Sequence, residues 1–82
     1  MNQILTHLAN RYFPGWQCQV NGQSFGITDG KHYIAEPLQD VVNAASPWWL
    51  YEFGYAVTRL SGSRDYAKER KRIDALWAQE PV

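Results

Sequence analysis

Apolar residues in the first part of the chain recur every three or four positions, which is the spacing of one face of an α-helix. This set consists of Ile4, Leu5, Leu8, Ala9 and Tyr12. Pro14-Gly15 follows it, and proline cannot continue a helix whereas glycine tolerates a reversal of the chain. The pattern therefore predicts a short amphipathic helix over residues 2–12 that is buried along one side.

The next segment contains two residue pairs that are typical of tight hairpin turns, Asn21-Gly22 and Asp29-Gly30. Both pairs favour two-residue turns with positive φ at both positions, and each lies between short runs rich in β-forming or aromatic residues. Two successive hairpins predict a three-stranded antiparallel meander with strands at residues 16–20, 23–28 and 31–35.

Two-residue turns at these pairs also predict which residues lie opposite each other. The predicted cross-strand pairs are Trp16 with Ile27, Cys18 with Phe25, Ile27 with His32, and Phe25 with Ile34. Because side chains alternate along a strand, both hairpins place the same set on one face of the sheet. This set consists of Trp16, Cys18, Val20, Phe25, Ile27, His32 and Ile34. We expect that face to be core.

The opposite face of the predicted sheet is polar and should be solvated. It carries Gln17, Gln19, Ser24, Thr28 and Lys31. Tyr33 would lie opposite Gly26, where its ring can cover the bare glycine backbone.

A short second helix is predicted directly after Glu36-Pro37, which ends the sheet. Its helically spaced apolar residues are Leu38, Val41, Val42 and Ala45. Ser46-Pro47 is typical of an N-cap followed by a first helical position. A third helix should therefore begin there and run to Leu60, before Ser61-Gly62.

A fourth helix would be capped by Ser63 and extend to about Gln79, with Asp65 close to its positive end. Its predicted buried positions are Tyr66, Ile73, Leu76 and Trp77. Only helices remain to cover the apolar sheet face. We therefore predict an α+β fold: an N-terminal helix, a three-stranded antiparallel β-meander with tight NG and DG turns, and three helices packed on the apolar sheet face.

The composition fits one small domain over residues 1–82, since 45% of the residues are hydrophobic and 15% aromatic. The formal net charge is zero, which does not indicate a strongly electrostatic partner. Cys18 is the single cysteine, so an intramolecular disulfide and a multi-cysteine zinc site are excluded. There is no signal-peptide pattern and no apolar run of about 20 residues. We expect a cytoplasmic protein that does not bind membranes.

Candidate catalytic residues are few. His7, His32 and Cys18 have suitable chemistry, but no Gly-x-Ser-x-Gly motif occurs. A buried thiol and an imidazole at the edge of the core account better for Cys18 and His32. The acidic residues near the second turn and second helix lack the spacing of a calcium loop; they are Asp29, Glu36 and Asp40. We predict no enzyme activity, metal or cofactor.

The third helix carries two adjacent aromatic stripes. The first has the spacing of a buried face and consists of Trp49, Phe53, Ala56, Val57 and Leu60. The second stripe consists of Trp48, Tyr51, Tyr55 and Arg59. Gly54 lies in the middle of the helix at a cost of about 1 kcal/mol relative to alanine, which indicates that another element packs closely there.

Two interpretations of the second stripe remain open at the level of sequence. The first and fourth helices can cover it, or it can face a partner protein or a second copy of the chain. Trp, Tyr and Arg are the residue types that dominate protein interfaces. The favoured hypothesis is a protein-binding module, such as a regulator, inhibitor or adaptor of the kind that phages and other mobile elements encode.

The fourth helix offers an alternative, nucleic-acid-binding site on a basic stripe formed by Arg64, Lys68, Lys71 and Arg72. Such a stripe can lie along a phosphate backbone. The acidic residues interleaved with it are Asp65, Glu69 and Asp74. A solvated helix face with ion pairs three and four residues apart explains the pattern more often, so nucleic acid ranks second.

Overall fold

The computed structural model describes residues 2–43 and 47–80 of the chain. Its elements in chain order are α1 (Asn2–Tyr12), β1 (Gln17–Asn21), β2 (Ser24–Thr28), β3 (Tyr33–Pro37), α2 (Leu38–Asn43), α3 (Trp48–Leu60) and α4 (Tyr66–Trp77). The predicted α+β fold is confirmed, because an N-terminal helix precedes a three-stranded antiparallel sheet of order β1-β2-β3 and further helices follow. The chain divides into two compact units, Met1–Ala45 and Ser46–Val82.

In the first unit α1 packs against β1, and α2 packs against β2 and β3. The predicted buried side of α1 is largely confirmed, since the buried residues include Leu5, Leu8, Ala9 and Tyr12. Ile4 is the exception at 62% exposure. With 3.6 residues per turn, Ile4 lies at the edge of the arc that the four buried residues occupy. The helix therefore turns this side chain towards solvent.

The register of both hairpins differs from the predicted one by two residues. Cys18 pairs with Ile27 rather than with Phe25, and Ile27 pairs with Ile34 rather than with His32. Side chains alternate with a period of two, so a shift by two residues leaves each side chain on its predicted face. The predicted pairs are wrong, but the predicted faces of the paired residues are retained.

The first turn lies one residue later than predicted. Asn21 belongs to β1 and pairs with Ser24, so the two-residue loop is Gly22-Gln23. Gly22 has a φ of 59°, and a positive φ at the first loop position suits a type II′ turn. Positive φ occurs only at glycine among the described residues. Asn21 therefore does not adopt the type I′ geometry that the Asn-Gly pair favours.

The second turn is a four-residue loop over residues 29–32 rather than a two-residue loop. The Asp29 carboxylate accepts hydrogen bonds from the backbone N–H groups of Lys31 and His32, at 2.9 and 2.7 Å. The Thr28 hydroxyl donates to the His32 carbonyl at 2.7 Å and accepts from the Gly30 N–H at 3.1 Å. These side-chain bonds stabilise a wider loop, and they move Lys31 and His32 out of the strand.

Gly26 lies under the ring of Tyr33, as predicted, although Tyr33 pairs with Thr28 and not with Gly26. A Cβ atom on Gly26 would lie 2.8 Å from Cε2 of Tyr33 and 2.6 Å from the carbonyl oxygen of Ile34. The ring therefore reaches the glycine along the diagonal between neighbouring strands, a distance that an aromatic side chain can span.

The apolar face of the sheet is buried most completely on its central strand. Phe25 and Ile27 of β2 are fully enclosed, whereas Trp16 and Cys18 are half-buried and Val20 is 40% exposed. Val20 lies next to the first turn at the end of an edge strand, so it departs from the predicted core.

In the second unit α3 packs against α4. Pro47 occupies the N-cap position of α3, whereas the predicted cap Ser46 lies outside the described residues, as does Ala45 of the predicted second helix. Asp65 caps α4 by accepting a hydrogen bond from the Lys68 N–H at 3.0 Å. The predicted cap Ser63 instead accepts from the Asp65 N–H at 3.3 Å.

The buried side of α3 is rotated from the predicted one. Trp49 and Phe53 are buried as predicted, but Leu60 is 41% exposed. Leu50 and Thr58 are buried instead. On α4 the predicted burial holds for Ile73, whereas Leu76 is half-buried and both Tyr66 and Trp77 are exposed.

No helix within the described residues is long and apolar enough to cross a membrane.

Candidate functional site

The second aromatic stripe of α3 remains partly accessible. Trp48, Tyr51 and Tyr55 are half-buried, and Arg59 is exposed. With 3.6 residues per turn, Trp48, Glu52, Tyr55 and Arg59 follow one line along the helix surface. This line is one face of α3 on which large rings and charges meet solvent.

Tyr51 is held by α4. Its hydroxyl donates a hydrogen bond to Oδ1 of Asp74, and its ring lies 4.7 Å from Cζ of Arg70. Nε of Arg70 lies 3.9 Å from Oδ2 of Asp74, which completes a three-residue cluster. The hydrogen bond to Asp74, followed by partial burial, raises the pKa of Tyr51 above its usual value near 10. Tyr51 therefore joins α3 to α4.

Gly54 confirms the prediction of a close contact in the middle of α3. A Cβ atom at this position would lie 2.7 Å from Cδ1 of Ile73 and 3.1 Å from Oε1 of Glu69. The absence of a side chain lets α4 approach the α3 backbone. This approach brings the first turn of α4 beside Tyr55.

Tyr55 forms an edge-to-face contact with Tyr66 of α4, with ring centroids 5.4 Å apart and an interplanar angle of 64°. The two rings border a cavity of about 390 Å³ on the surface of this unit. We call it the α3 groove, and it is lined by Glu52, Tyr55, Ala56, Arg59 and Tyr66. The helical spacing of Tyr66 predicts a core position, so the sequence does not indicate that this residue lines the groove.

The α3 groove carries opposite charges at its two ends. Glu52 and Arg59 are seven residues apart, which is about 10.5 Å along a helix that rises 1.5 Å per residue. Side chains on a helix interact at spacings of three or four residues, so this pair is too far apart to neutralise itself. Both side chains are exposed, and neither forms an ion pair with another residue in the described part of the chain.

The alternative basic site on α4 is only partly available. Lys68 and Lys71 are exposed and, like Arg64, form no ion pair within residues 2–43 and 47–80. Arg72 is bound to Glu69, with Nε 3.1 Å from Oε2. The acidic residue therefore neutralises one of the four cations that the sequence places on this stripe.

Cys18 and His32, which the sequence predicts to be structural rather than catalytic residues, form contacts within the first unit. Sγ of Cys18 accepts a weak hydrogen bond from the Thr6 hydroxyl at 3.7 Å, which links α1 to β1. Nδ1 of His32 lies 3.2 Å from Oδ2 of Asp29 in the second turn. The structure describes no group of three or more His, Cys, Asp or Glu side chains that could hold a metal ion.

The Asp29 carboxylate in the second turn has a lowered pKa. Backbone hydrogen bonds from His32 and then Lys31 lower the pKa of Asp29 from 3.8 to about 2, because they favour the ionised carboxylate. Each of these bonds closes the hairpin loop. The hydrogen bonds of the turn therefore account for the lowered pKa.

The first unit has a cavity of about 450 Å³ that the sequence did not indicate. It is lined by Gly22, Gln23, Pro37, Leu38, Gln39 and Val42. These residues carry no formal charge. They flank the hydrogen bond from the Leu38 N–H to the Gln23 carbonyl at 2.7 Å, so the cavity follows from the junction between the first turn and α2.

Comparison with protein-family models, with curated proteins and with solved structures finds no match to this chain.

Proposed function

We propose that this chain is a non-enzymatic protein-binding module, a regulator, inhibitor or adaptor that docks on a larger partner protein through the α3 groove. The observation that carries the proposal is the composition of this surface, in which Tyr55, Tyr66 and Arg59 lie side by side and partly accessible. Tyr and Arg are enriched at the energetic centres of protein interfaces, because each buries a large area and keeps a polar group.

The neighbouring stripe residues have different roles in this proposal. Trp48 lies on the same line of α3 as Tyr55 and Arg59, so it extends the docking surface towards the start of the helix. Tyr51 supports the surface indirectly, because its bond to Asp74 holds α4 and thereby Tyr66 in place. The partner contacts are therefore assigned to Trp48, Tyr55 and Arg59, with Tyr66 added.

The experiment that tests this proposal is comparative affinity capture from an extract of the source cells. The immobilised chain is used in four forms: wild type, Tyr55→Ala, Arg59→Ala and Lys71→Ala. Wild type and Lys71→Ala, a control on the exposed face of α4, should retain the same partner. Tyr55→Ala and Arg59→Ala should each reduce its recovery at least about tenfold, the effect of a hot-spot residue.

Arg59→Ala is the decisive variant, because Arg59 is exposed and its loss should leave thermal unfolding unchanged. Tyr55→Ala also removes the contact with Tyr66, so its melting temperature is measured alongside. Equal recovery of the partner by Arg59→Ala, Tyr55→Ala and wild type would contradict a docking role for the groove.

A nucleic-acid-binding function is the second candidate, and the exposure of Arg64, Lys68 and Lys71 favours it. Binding to a mixed-sequence oligonucleotide should weaken linearly with the logarithm of salt concentration. Lys68→Ala and Lys71→Ala should each reduce that slope by about 0.9 if the lysine contacts a phosphate. Absence of binding at low salt would eliminate this candidate.

A further inference from the structure

The four α3 residues of the groove form a pattern that is complementary to itself. Glu52, Tyr55, Ala56 and Arg59 occupy positions i, i+3, i+4 and i+7, which is one continuous line along a helix. The acid lies at one end and the base at the other, with a large and a small side chain between them. Reversing the direction of the helix exchanges the acid with the base and the large residue with the small one.

We propose, building on the docking role of the groove, that a second copy of this chain occupies it, with the two α3 helices antiparallel about a two-fold axis between Tyr55 and Ala56. In this arrangement Glu52 of each copy faces Arg59 of the other, and the two ion pairs are identical by symmetry. Isologous contacts of this kind form closed dimers, the commonest symmetric assembly of soluble proteins.

The side chains at the centre of the groove are compatible with close contact. The Tyr55 ring of one copy lies over Ala56 of the other, where a methyl group leaves room for it. Helices at such contacts approach to about 8–10 Å, depending on the size of the residues that meet. Tyr66 forms the wall of the groove and adds a second aromatic surface to the same contact.

The charges also select one orientation. If the two helices were parallel, Glu52 would face Glu52 and Arg59 would face Arg59, and like charges placed opposite each other across an interface are unfavourable. In the antiparallel arrangement each of the four charged side chains faces a side chain of opposite charge. Because neither side chain forms an ion pair with another described residue of its own chain, pairing between copies breaks no existing ion pair.

Self-association through the groove would regulate the proposed function. The surface that docks on a larger partner is covered when two copies associate, so a partner and a second copy compete for it. The free protein would then be a dimer whose docking surface becomes accessible on dissociation.

The test uses sedimentation velocity on the full chain at low ionic strength, from about 1 µM to about 1 mM protein. The variants are Glu52→Arg, Arg59→Glu and the combination of both in one chain, with Lys71→Glu as a charge-reversal control outside the groove. Wild type, control and combined variant should all dimerise. Each single variant should dimerise at least about tenfold more weakly, because two ion pairs become two like-charge contacts.

An equimolar mixture of Glu52→Arg chains with Arg59→Glu chains provides the most specific result. In a mixed dimer one chain carries arginine at both positions and the other carries glutamate at both, so opposite charges meet at each contact. The mixture should therefore dimerise as wild type does, although neither variant does so alone. If the mixture associates much more tightly than wild type, the two helices are parallel. If the mixture stays monomeric, the groove binds only foreign proteins. Either result would contradict the inference.

A monomeric wild type across the whole concentration range would overturn the inference, as would single variants that dimerise as strongly as wild type. Neither result affects the docking proposal, because capture of a larger partner is measured separately with Arg59→Ala. Conversely, the chain could form a dimer with the expected charge dependence while the groove variants recover as much partner protein as wild type does. That result would overturn the docking proposal and leave the inference standing.

Discussion

Gly54 shows how one missing side chain controls the contact between two helices. A substitution to alanine should gain about 1 kcal/mol in helix propensity. The new Cβ, however, would lie 2.7 Å from Cδ1 of Ile73, whose β-branched side chain is completely buried and cannot rotate into solvent. Overpacking of this kind costs about 1–3 kcal/mol. We therefore expect Gly54→Ala to lower the free energy of unfolding by about 1 kcal/mol, measured by urea denaturation.

A double-mutant cycle separates this clash from other effects. Ile73→Val removes the Cδ1 atom and should cost about 0.5–1.5 kcal/mol by itself. In the Ile73→Val background the Gly54→Ala substitution should be tolerated. The double variant should therefore lose less unfolding free energy than the sum of the losses in the two single variants. Strict additivity of the two losses would contradict the proposed contact between Gly54 and Ile73.

The hydrogen bond from Tyr51 to Asp74 should stabilise the fold to an extent that depends on pH. Tyr51→Phe removes the hydroxyl that donates to Asp74 and should lower the free energy of unfolding by about 0.5–1 kcal/mol at pH 7. The folded state raises the pKa of Tyr51, so the neutral phenol is favoured on folding. This contribution is complete below the unfolded pKa near 10 and is lost as the pH rises through the folded value.

The measurement is the difference in unfolding free energy between wild type and Tyr51→Phe at pH 7, 9 and above. The difference should be constant up to about pH 9 and shrink above about pH 10, where the tyrosine of the unfolded chain ionises. A difference that grows with pH would show that the phenol–carboxylate bond is not its source.

The loop between β2 and β3 depends on the carboxylate of Asp29. The folded state lowers the pKa of Asp29 to about 2, chiefly through the backbone N–H groups of His32 and Lys31. A depressed pKa contributes stability that is present above the unfolded value near 4 and is lost as the pH falls through the folded value. We expect the stability difference between wild type and Asp29→Ala to disappear between about pH 4 and pH 2.

Thermal unfolding of both proteins across this pH range checks the prediction, and an NMR titration of the Asp29 carboxyl should give a midpoint near 2. Asp40→Ala is a suitable control, because Asp40 is exposed in the first turn of α2 and forms no hydrogen bond to this loop. An Asp29 midpoint near 4 would contradict the loop geometry.

The hairpins also show how far local sequence determines an element. Asn-Gly and Asp-Gly correctly indicated two turns and three strands, because glycine at these positions supplies the positive φ that both loops use. They did not determine the loop length. That depends on bonds such as those from Thr28 and Asp29, which exist only once the loop has formed. The predicted faces of the sheet are nevertheless correct, because the register differs from the predicted one by an even number of residues.

The candidate site on α3 was also only partly predictable from local sequence. Helical spacing predicted that Trp48, Tyr55 and Arg59 share one stripe of α3, but it left open whether other helices cover that stripe, which is partly accessible in the structure. The mid-helix Gly54 correctly indicated a close contact. The partners supplied by α4 were not predictable. Tyr66 has the spacing of a core residue, and its position beside Tyr55 depends on how closely α4 approaches Gly54.

The balance of charges over the chain makes the proposed self-association testable by varying the salt concentration. The formal net charge is zero, so two copies have no overall repulsion that salt would relieve. The Debye length falls from about 10 Å at 0.1 M to about 3 Å at 1 M salt, which screens exposed ion pairs. Contacts between Glu52 and Arg59 of two copies should therefore make the wild-type dimer weaker as salt is added.

The control is a chain that carries both Glu52→Gln and Arg59→Gln, which keeps two long polar side chains and the net charge but removes the ion pairs. Its association should be weaker than that of wild type at low salt and nearly independent of salt. Sedimentation velocity between about 0.05 M and about 1 M salt compares the two. If salt strengthens the wild-type dimer, burial of apolar surface rather than charge pairing holds it together, since excluded salts strengthen apolar association.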